Sequence, residues 1–257
     1  MYQQEKVLPF GGNENKGKQV SRMFDSIAKT YDKINHFMSL GIDRYWRNKL
    51  IRSIHPFAQK LTEIPINRQQ KGADILDIAT GTGDLAILEA KRLNPKSVIG
   101  VDISEGMMAV GREKVAKEKL DKVISFSKED ATKMTFADES FDIITTSFGI
   151  RNFENLDAAL LEIRRVLRPN GVFAILELSE PIVFPMKQLF RIYSHTFLPL
   201  IGRMIANDKN SYDYLVHSIE AFPQGEMMTE IVKKAGFSKV SFKRLTFGIC
   251  TLYLIEK

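Results

Sequence analysis

The chain has 257 residues, 44% of them hydrophobic and 26% charged, the balance of a soluble globular fold with room for a sizeable core. Its formal charge of +6 forms no dense basic stripe with interleaved aromatics, which argues against nucleic-acid binding, and its four scattered histidines lack metal-ligand spacing. The single cysteine, Cys250, lies in the apolar run "FGICTLYLI" and excludes an intrachain disulfide; with no apolar leader and no long apolar run, the expected compartment is the cytoplasm.

Residues 1–18 are polar and rich in Gly, Asn and Lys, the composition of a mobile segment. Residues 19–72 are expected to form a helical cap. Met23, Phe24, Ile27 and Tyr31, then Trp46, Leu50 and Ile54, recur at helical spacing between Ser21 and Ile54. Residues 73–180 alternate. "ADILDIA" reads as a strand and "GDLAILEAKRLN" as a helix; "SVIGVDI" is a strand and "EGMMAVGREKVAKEK" a helix. "VISFSKED" and "FDIITTSFG" are further strands, and the helix "NLDAALLEIRRVL" leads into the strand "GVFAILELS". Leu156, Leu160, Ile163 and Leu167 mark the inner face of that helix. Apolar strands alternating with helices predict an α/β fold with a mostly parallel sheet covered on both faces. Residues 181–222 break the alternation with a helical insertion. Its apolar face runs through Met186, Leu189, Phe190, Tyr193, Phe197, Leu200, Ile201 and Met204, interrupted by Pro199. Residues 223–257 read as a helix stopped at Gly236 and two strands, antiparallel because a short turn joins them. The five segments are read as one domain.

The stretch "ILDIATGTGD" carries the chemistry. Gly81 and Gly83 fall at the end of the first strand, where α/β sheets bind ligands, and let a ligand approach the backbone closely. Asp102 ends the next strand, where an acid can accept bonds from both hydroxyls of a ribose. Asp130 and Ala131 end the third strand, in position to hold an adenine. Gly81-x-Gly83-x-x-Ala86 fits a dinucleotide fingerprint and so a nicotinamide-dependent oxidoreductase. That turn seats a pyrophosphate on a helix N-terminus. Asp77 and Asp84 flank the turn, and two acids repel a pyrophosphate but suit a cation. S-adenosylmethionine carries a sulfonium and an ammonium, and Asp77 is in place for the amino-acid end of that cofactor, directly or through water. A plain strand–helix turn with Asp84 as its cap is the bland alternative. Three acids at three successive strand ends favour the nucleoside cradle of a methyltransferase over it.

Four stretches extend this reading to nearly the whole chain: "MFDSIAKTYDKINHFMSLGIDRYWR", "ILDIATGTGDLAI", "SFGIRNFENLDAALLEIRRVLRPNGVFAILELSEP" and "ANDKNSYDYLVHSI". They resemble the ubiquinone/menaquinone biosynthesis C-methyltransferases, and the first and third look like that family's two signature regions. Asp43 stands where the family often has His, and Asn170 replaces the first glycine of its "PGG"; both read as loop positions. The resemblance implies a class I, Rossmann-like methyltransferase fold with cofactor contacts at Thr82, Asp102, Asp130, Ala131 and Ser147. It also implies methyl transfer to a ring carbon of a polyprenylated quinol. A demethylmenaquinol giving menaquinol is the first choice and a methoxybenzoquinol the alternative.

Methylating a ring carbon requires in-line geometry and a group that takes or stabilises the proton of the quinol. Arg151 in "SFGIRN" is placed to hold the quinolate oxygen or orient a water, since arginine is too basic to be the base itself. Asn152 is placed to hold a quinol oxygen, and Tyr31 and Asp32 to close over the cofactor. A surface salt bridge is the alternative for Arg151. The insertion offers Phe184, Met186, Phe190, Phe197, Leu200 and Met204, with Lys187, Arg191 and Arg203 beside them, to meet a bilayer surface; packing on the sheet or on a second copy is the competing reading.

Overall fold

The computed structural model describes residues 1–63, 72–197 and 209–257. Its helices are α1 (Gln3–Lys6), α2 (Lys16–Met38), α3 (Ile42–Glu63), α4 (Asp84–Leu93), α5 (Glu105–Lys117), α6 (Leu156–Val166), α7 (Met186–Ile192), α8 (Lys209–Ala221) and α9 (Glu226–Lys234). The strands are β1 (Asp74–Ile78), β2 (Ser97–Asp102), β3 (Ile124–Lys128), β4 (Phe141–Ser147), β5 (Leu167–Leu178), β6 (Lys239–Leu245) and β7 (Cys250–Glu256). They form one sheet of order β3-β2-β1-β4-β5-β7-β6. All neighbours are parallel except β7, which runs antiparallel to β5 and β6. The α/β expectation and the closing hairpin are both borne out. The parallel order brings the C-terminal ends of β3, β2, β1 and β4 side by side.

Strand alternation sorts the core into two layers. Val172, Ala174 and Leu176 of β5 join Ile75 and Ile143 against Leu50, Ile54, Leu85 and Ala86 of α3 and α4. Phe173 and Ile175 join Leu76 and Ile144 against Leu160 and Ile163 of α6 and Met228 and Val232 of α9. Leu156, Leu160, Ile163 and Leu167 are fully buried, as their spacing predicts. Gly236 ends α9 at φ +93, the left-handed stop its position calls for.

The helical cap divides at Leu40 and Gly41, both at positive φ, and α3 then runs through Pro56 to Glu63. Asp43 therefore lies in the first turn of α3, not in a loop. Asn170 lies within β5 at φ +62, beside a register shift between β4 and β5.

Residues 1–18, expected to be mobile, are packed in part: Gln4, Glu5 and Lys16 are buried, while residues 10–15 are exposed. Glu5 accepts the Leu156 N–H at 2.8 Å, satisfying a free donor at the start of α6 and complementing its dipole. Tyr2 donates to Asp157 at 2.7 Å, and the Lys16 ammonium, 3% exposed, donates to the Gln4 carbonyl at 2.5 Å and the Arg151 carbonyl at 3.2 Å.

Polar contacts fasten α2 across the strand ends. Asp25 accepts from Ser104 Oγ at 2.6 Å and Gly106 N–H at 2.8 Å. Ser21 donates to the Ile103 carbonyl at 3.0 Å, and Asp32 accepts from Thr82 Oγ1 at 2.6 Å and Lys114 at 2.9 Å.

In the insertion, α7 buries only Phe190; Leu189 and Ile192 are exposed. Leu200, Ile201, Arg203 and Met204 fall outside the described residues, as does the side chain of Phe197.

Candidate active site

The turn after β1 is built from residues in left-handed conformations. Ala79, Gly81 and Gly83 have φ of +54, +56 and +77, and Phe148 at the end of β4 has φ +61. Left-handed alanine and phenylalanine are strained and persist only where surrounding contacts over-determine them. Gly149 makes the geometry possible. A Cβ there would lie 2.4 Å from the Ala79 Cβ, so the ends of β1 and β4 meet only because glycine has none.

A cavity of about 770 Å³ opens over these ends, beneath α2. Gly81, Asp102, Asp130, Ala131, Ser147 and Asn152 line it, with Val101, Met107 and Phe153 as apolar wall. Asp102 is fixed by its neighbours. Its Oδ2 accepts the Gly81 N–H at 2.9 Å and its Oδ1 the Ser104 N–H at 2.9 Å, leaving each oxygen a further lone pair. Withdrawal from water raises this carboxyl to about 6 against those bonds. Asp130 Oδ1 accepts from the Thr132 N–H and hydroxyl, both at 2.8 Å, closing the turn beside Ala131.

Three sequence-predicted contacts sit behind this wall. Asp77 is 1% exposed and turned under the sheet, where it accepts from Thr80 Oγ1 at 2.7 Å and Thr145 Oγ1 at 3.1 Å. Strand alternation explains it: Asp77 shares its face with Ile75, beneath α4. Its carboxyl is pushed up by burial, with Glu89 beside it. Thr82 turns its hydroxyl to Asp32. Gly83 is a packing residue, since a Cβ there would lie 2.9 Å from Phe126 Cζ.

The cavity fits an adenosyl cofactor on its own chemistry. A half-buried acid with spare lone pairs suits a pair of hydroxyls, and Val101, Met107 and Phe153 suit the faces of a base. At Gly81 a Cβ would already lie 3.3 Å from Met107 Cε, so bare backbone is what a ligand meets. Phosphate is disfavoured, because Asp84 in the first turn of α4 pairs with Lys114 and neutralises the nearby cation.

Two further cavities adjoin the first, of about 560 and 710 Å³, and Tyr31 lines all three. Phe148 lines the first and the largest of the others. Arg151 lines both of the further cavities but not the first. It is 5% exposed and donates to Glu177 Oε1 at 2.7 Å and to the Phe148 carbonyl at 2.5 Å, so the surface salt bridge is ruled out in favour of a buried one. Asn152 Oδ1 accepts from the Tyr214 hydroxyl at 3.0 Å. Burial pushes the phenols of Tyr31 and Tyr214 up. Glu177 and Tyr214 had no local signal in the sequence, since each acts through a partner 26 or 62 residues away.

Residues 12–257 match the ubiE/COQ5 methyltransferase family. The chain belongs to that family. Its relatives include the demethylmenaquinone methyltransferase of Bacteroides fragilis, 52% identical over 100% of this chain and 99% of that protein. The corresponding Porphyromonas gingivalis enzyme is 40% identical over 99% of each. The ubiquinone/menaquinone biosynthesis C-methyltransferase UbiE of Dinoroseobacter shibae is 35% identical over 93% of this chain and 91% of that protein. Among solved structures, the [4+2]-cyclase SpnF aligns with a TM-score of 0.62 at 15% identity, covering 95% of this chain and 97% of that one. Phosphoethanolamine N-methyltransferase 2 of Haemonchus contortus, solved with S-adenosylhomocysteine, aligns at 0.55 and 18% identity over 90% of this chain and 59% of that one. These structural likenesses are of fold alone, and a cyclase among them makes the point that this fold serves several chemistries. Membership of the ubiE/COQ5 family is what sets the dinucleotide oxidoreductase aside.

Proposed function

We propose that this ubiE/COQ5 family member methylates a ring carbon of a polyprenylated demethylmenaquinol, giving menaquinol, with S-adenosylmethionine as donor. The observation that carries the reading is the pair of cavities that share Tyr31 and Phe148, one edged by acids and one largely apolar with a buried arginine. When bound, S-adenosylmethionine supplies a methyl group on a sulfonium. Asp102 accepts the ribose hydroxyls, Asp130 and Ala131 hold the adenine edge, and Gly81 and Ser147 let the cofactor lie against backbone. Asp77, Thr82 and Gly83 act from behind, by holding the turn. Arg151 and Asn152 face the quinol. Arg151 holds the quinolate oxygen and orients the water that takes its proton, and Glu177 fixes the guanidinium in that position. Asn152 holds the same oxygen from the cofactor side. Tyr31 and Phe148 exclude bulk water between the two sites.

A polyprenyl substrate lives in a bilayer, so the mouth of its cavity must meet one. Among the described residues no helix is long and apolar enough to cross a membrane. Ile182, Val183, Phe184, Leu189 and Ile192 are 54–77% exposed, with Lys187 and Arg191 between them. Phe190 and Tyr193, on the same segment, line the larger apolar cavity. We read this as peripheral docking from the cytoplasm, with the tail entering past α7. A homodimer contact is the other occupant of that face, and sedimentation without lipid separates the two.

Incubation with S-adenosylmethionine and either short-tailed demethylmenaquinol or methoxybenzoquinol, followed by mass spectrometry, tests the function. The expected product is the methylated naphthoquinol, formed in preference to the methylated benzoquinol. The reverse preference transfers the assignment to ubiquinone chemistry, and no product from either ends the quinol reading.

A further inference from the structure

A second arginine faces the same cavity as Arg151. Arg47, from α3, is 8% exposed and lines the cavity of about 710 Å³. Its guanidinium lies over the Phe148 ring, Cζ 5.4 Å from the centroid, while Arg151 donates to the backbone carbonyl of that same phenylalanine. The two cations thus flank one residue.

Both are held in the same way. Arg47 Nη1 donates to Asp43 Oδ2 at 2.5 Å, and Arg151 Nη1 to Glu177 Oε1 at 2.7 Å. Asp43 is held in turn by Ser39 Oγ at 2.8 Å and by His36 Nδ1 at 3.1 Å. Each arginine then leaves donors over. The Nε–H of Arg47 and that of Arg151 are buried without a partner. Arg47 Nη2 comes no nearer to Asp84 than 3.8 Å, beyond hydrogen-bond range. Unmet N–H groups on buried cations are costly, and native structures leave few of them without a reason. The Nε–H groups have no exposed surface, so what a ligand can reach is the Nη2 groups, which form no hydrogen bond among the described residues. Two pinned guanidiniums on one cavity match a flat ligand that carries oxygens on opposite edges.

We propose that Arg47 binds the second oxygen of the substrate ring, para to the oxygen held by Arg151. The inference rests on the quinol reading above and adds to it a way of recognising the reduced ring at both ends. The second oxygen lies meta to the methylated carbon and takes no charge from ionisation of the first, so Arg47 positions the ring by a charge-assisted bond to a neutral hydroxyl. Lysine offers no planar fork and would replace it only in part.

The test uses the full chain with S-adenosylmethionine and two short-tailed substrates. One is demethylmenaquinol. The other is a naphthol that keeps the hydroxyl next to the methylated carbon and lacks the opposite oxygen. Arg47→Met should lower kcat/KM for the quinol roughly 10- to 100-fold, the range of one charge-assisted bond, and leave S-adenosylhomocysteine affinity unchanged. Wild-type enzyme should lose a similar factor on the naphthol, while the Arg47→Met variant should treat quinol and naphthol nearly alike. Arg47→Lys should fall between. If Arg47→Met fails to fold because Asp43 is stranded, the double variant Arg47→Met, Asp43→Asn removes that charge and is measured instead. Equal losses on both substrates mean that Arg47 is structural and overturn the proposal, as does an unchanged quinol rate. If wild-type enzyme methylates neither substrate, the quinol reading fails and this proposal with it.

Discussion

At the scale of single residues, the buried carboxyls do different work according to what surrounds them. Asp102, raised to about 6 by burial, accepts freely on both oxygens only when ionised. Cofactor affinity should therefore be full at about pH 7.5 and fall as pH drops through about 6. Calorimetry with S-adenosylhomocysteine should show that fall in the wild type, and weaker, flatter binding in Asp102→Asn. An unaltered pH dependence in the variant would falsify the ribose assignment. Glu89 is a different case. Thr145 Oγ1 lies 2.8 Å from Glu89 Oε1 and 3.1 Å from Asp77 Oδ1, yet its hydroxyl has one proton to give. One of the two acids must carry a proton, and Glu89 is that acid, because Asp77 also accepts from Thr80 Oγ1 at 2.7 Å whereas Glu89 has no second donor among the described residues. Folding then requires proton uptake above the ordinary glutamate value of 4.5, so stability contributed at this site is lost as pH rises. Glu89→Gln keeps a donor to Thr145 without that requirement. It should be more stable than wild type, by a margin that widens by up to about 1.4 kcal/mol per pH unit above that point. Denaturation at about pH 5 and about pH 8 measures the margin, and a constant one leaves Glu89 ionised in the fold.

At the scale of elements, what the sequence made legible was the core, because it is periodic. The inner face of α6, the left-handed stop after α9 and the closing hairpin all follow from local rules. The glycine turn did too, since Gly81 and Gly83 adopt conformations that other residues resist. Ala79 and Phe148 adopt the same conformations without being glycine, and nothing local marks them. Alternation along β1 puts Asp77 on the same face as Ile75, under α4, although an acid beside a glycine turn suggests a ligand contact. The burial of Glu5 had no such signal, because Glu5 works through the N–H of Leu156, 151 residues away. In the insertion, apolar spacing suggested one wide face, but α7 divides it: Phe190 turns to the cavity and Leu189 and Ile192 to solvent. That division makes the proposed docking face separable from the fold. Replacing exposed Phe184 and Ile192 with Asp should spare stability, abolish co-sedimentation with anionic vesicles and raise KM for a long-tailed quinol. A tail-less quinol should be turned over as before. A variant that loses both substrates alike would show the face to be part of the catalytic core.

At the scale of the whole molecule, α2 contributes to the cavity at the strand ends and to both cavities that adjoin it, and Tyr31 belongs to all three. Its polar fastenings to the strand ends are hydrogen bonds and an ion pair at Asp25, Ser21 and Asp32, and beside them Val20 and Met23 form a small apolar cluster with Tyr214 against which Ile103 packs. A ligand packed beneath this helix adds contacts that hold it down, so a second ligand is expected to find part of that cost already met. The two affinities are therefore expected to be linked, and linkage is reciprocal: if the cofactor product tightens quinol binding by some factor, quinol tightens the cofactor product by the same factor. Calorimetric titration of each ligand with and without the other measures both halves of that equality. Tyr31→Ala should bring the factor towards one while each ligand alone still binds. For catalysis the consequence is one of sequence in time. An enzyme with this shared roof is expected to release its products one after the other, with turnover limited by release rather than by transfer of the methyl group, and a burst of methylated product in the first turnover is the measurement that checks it.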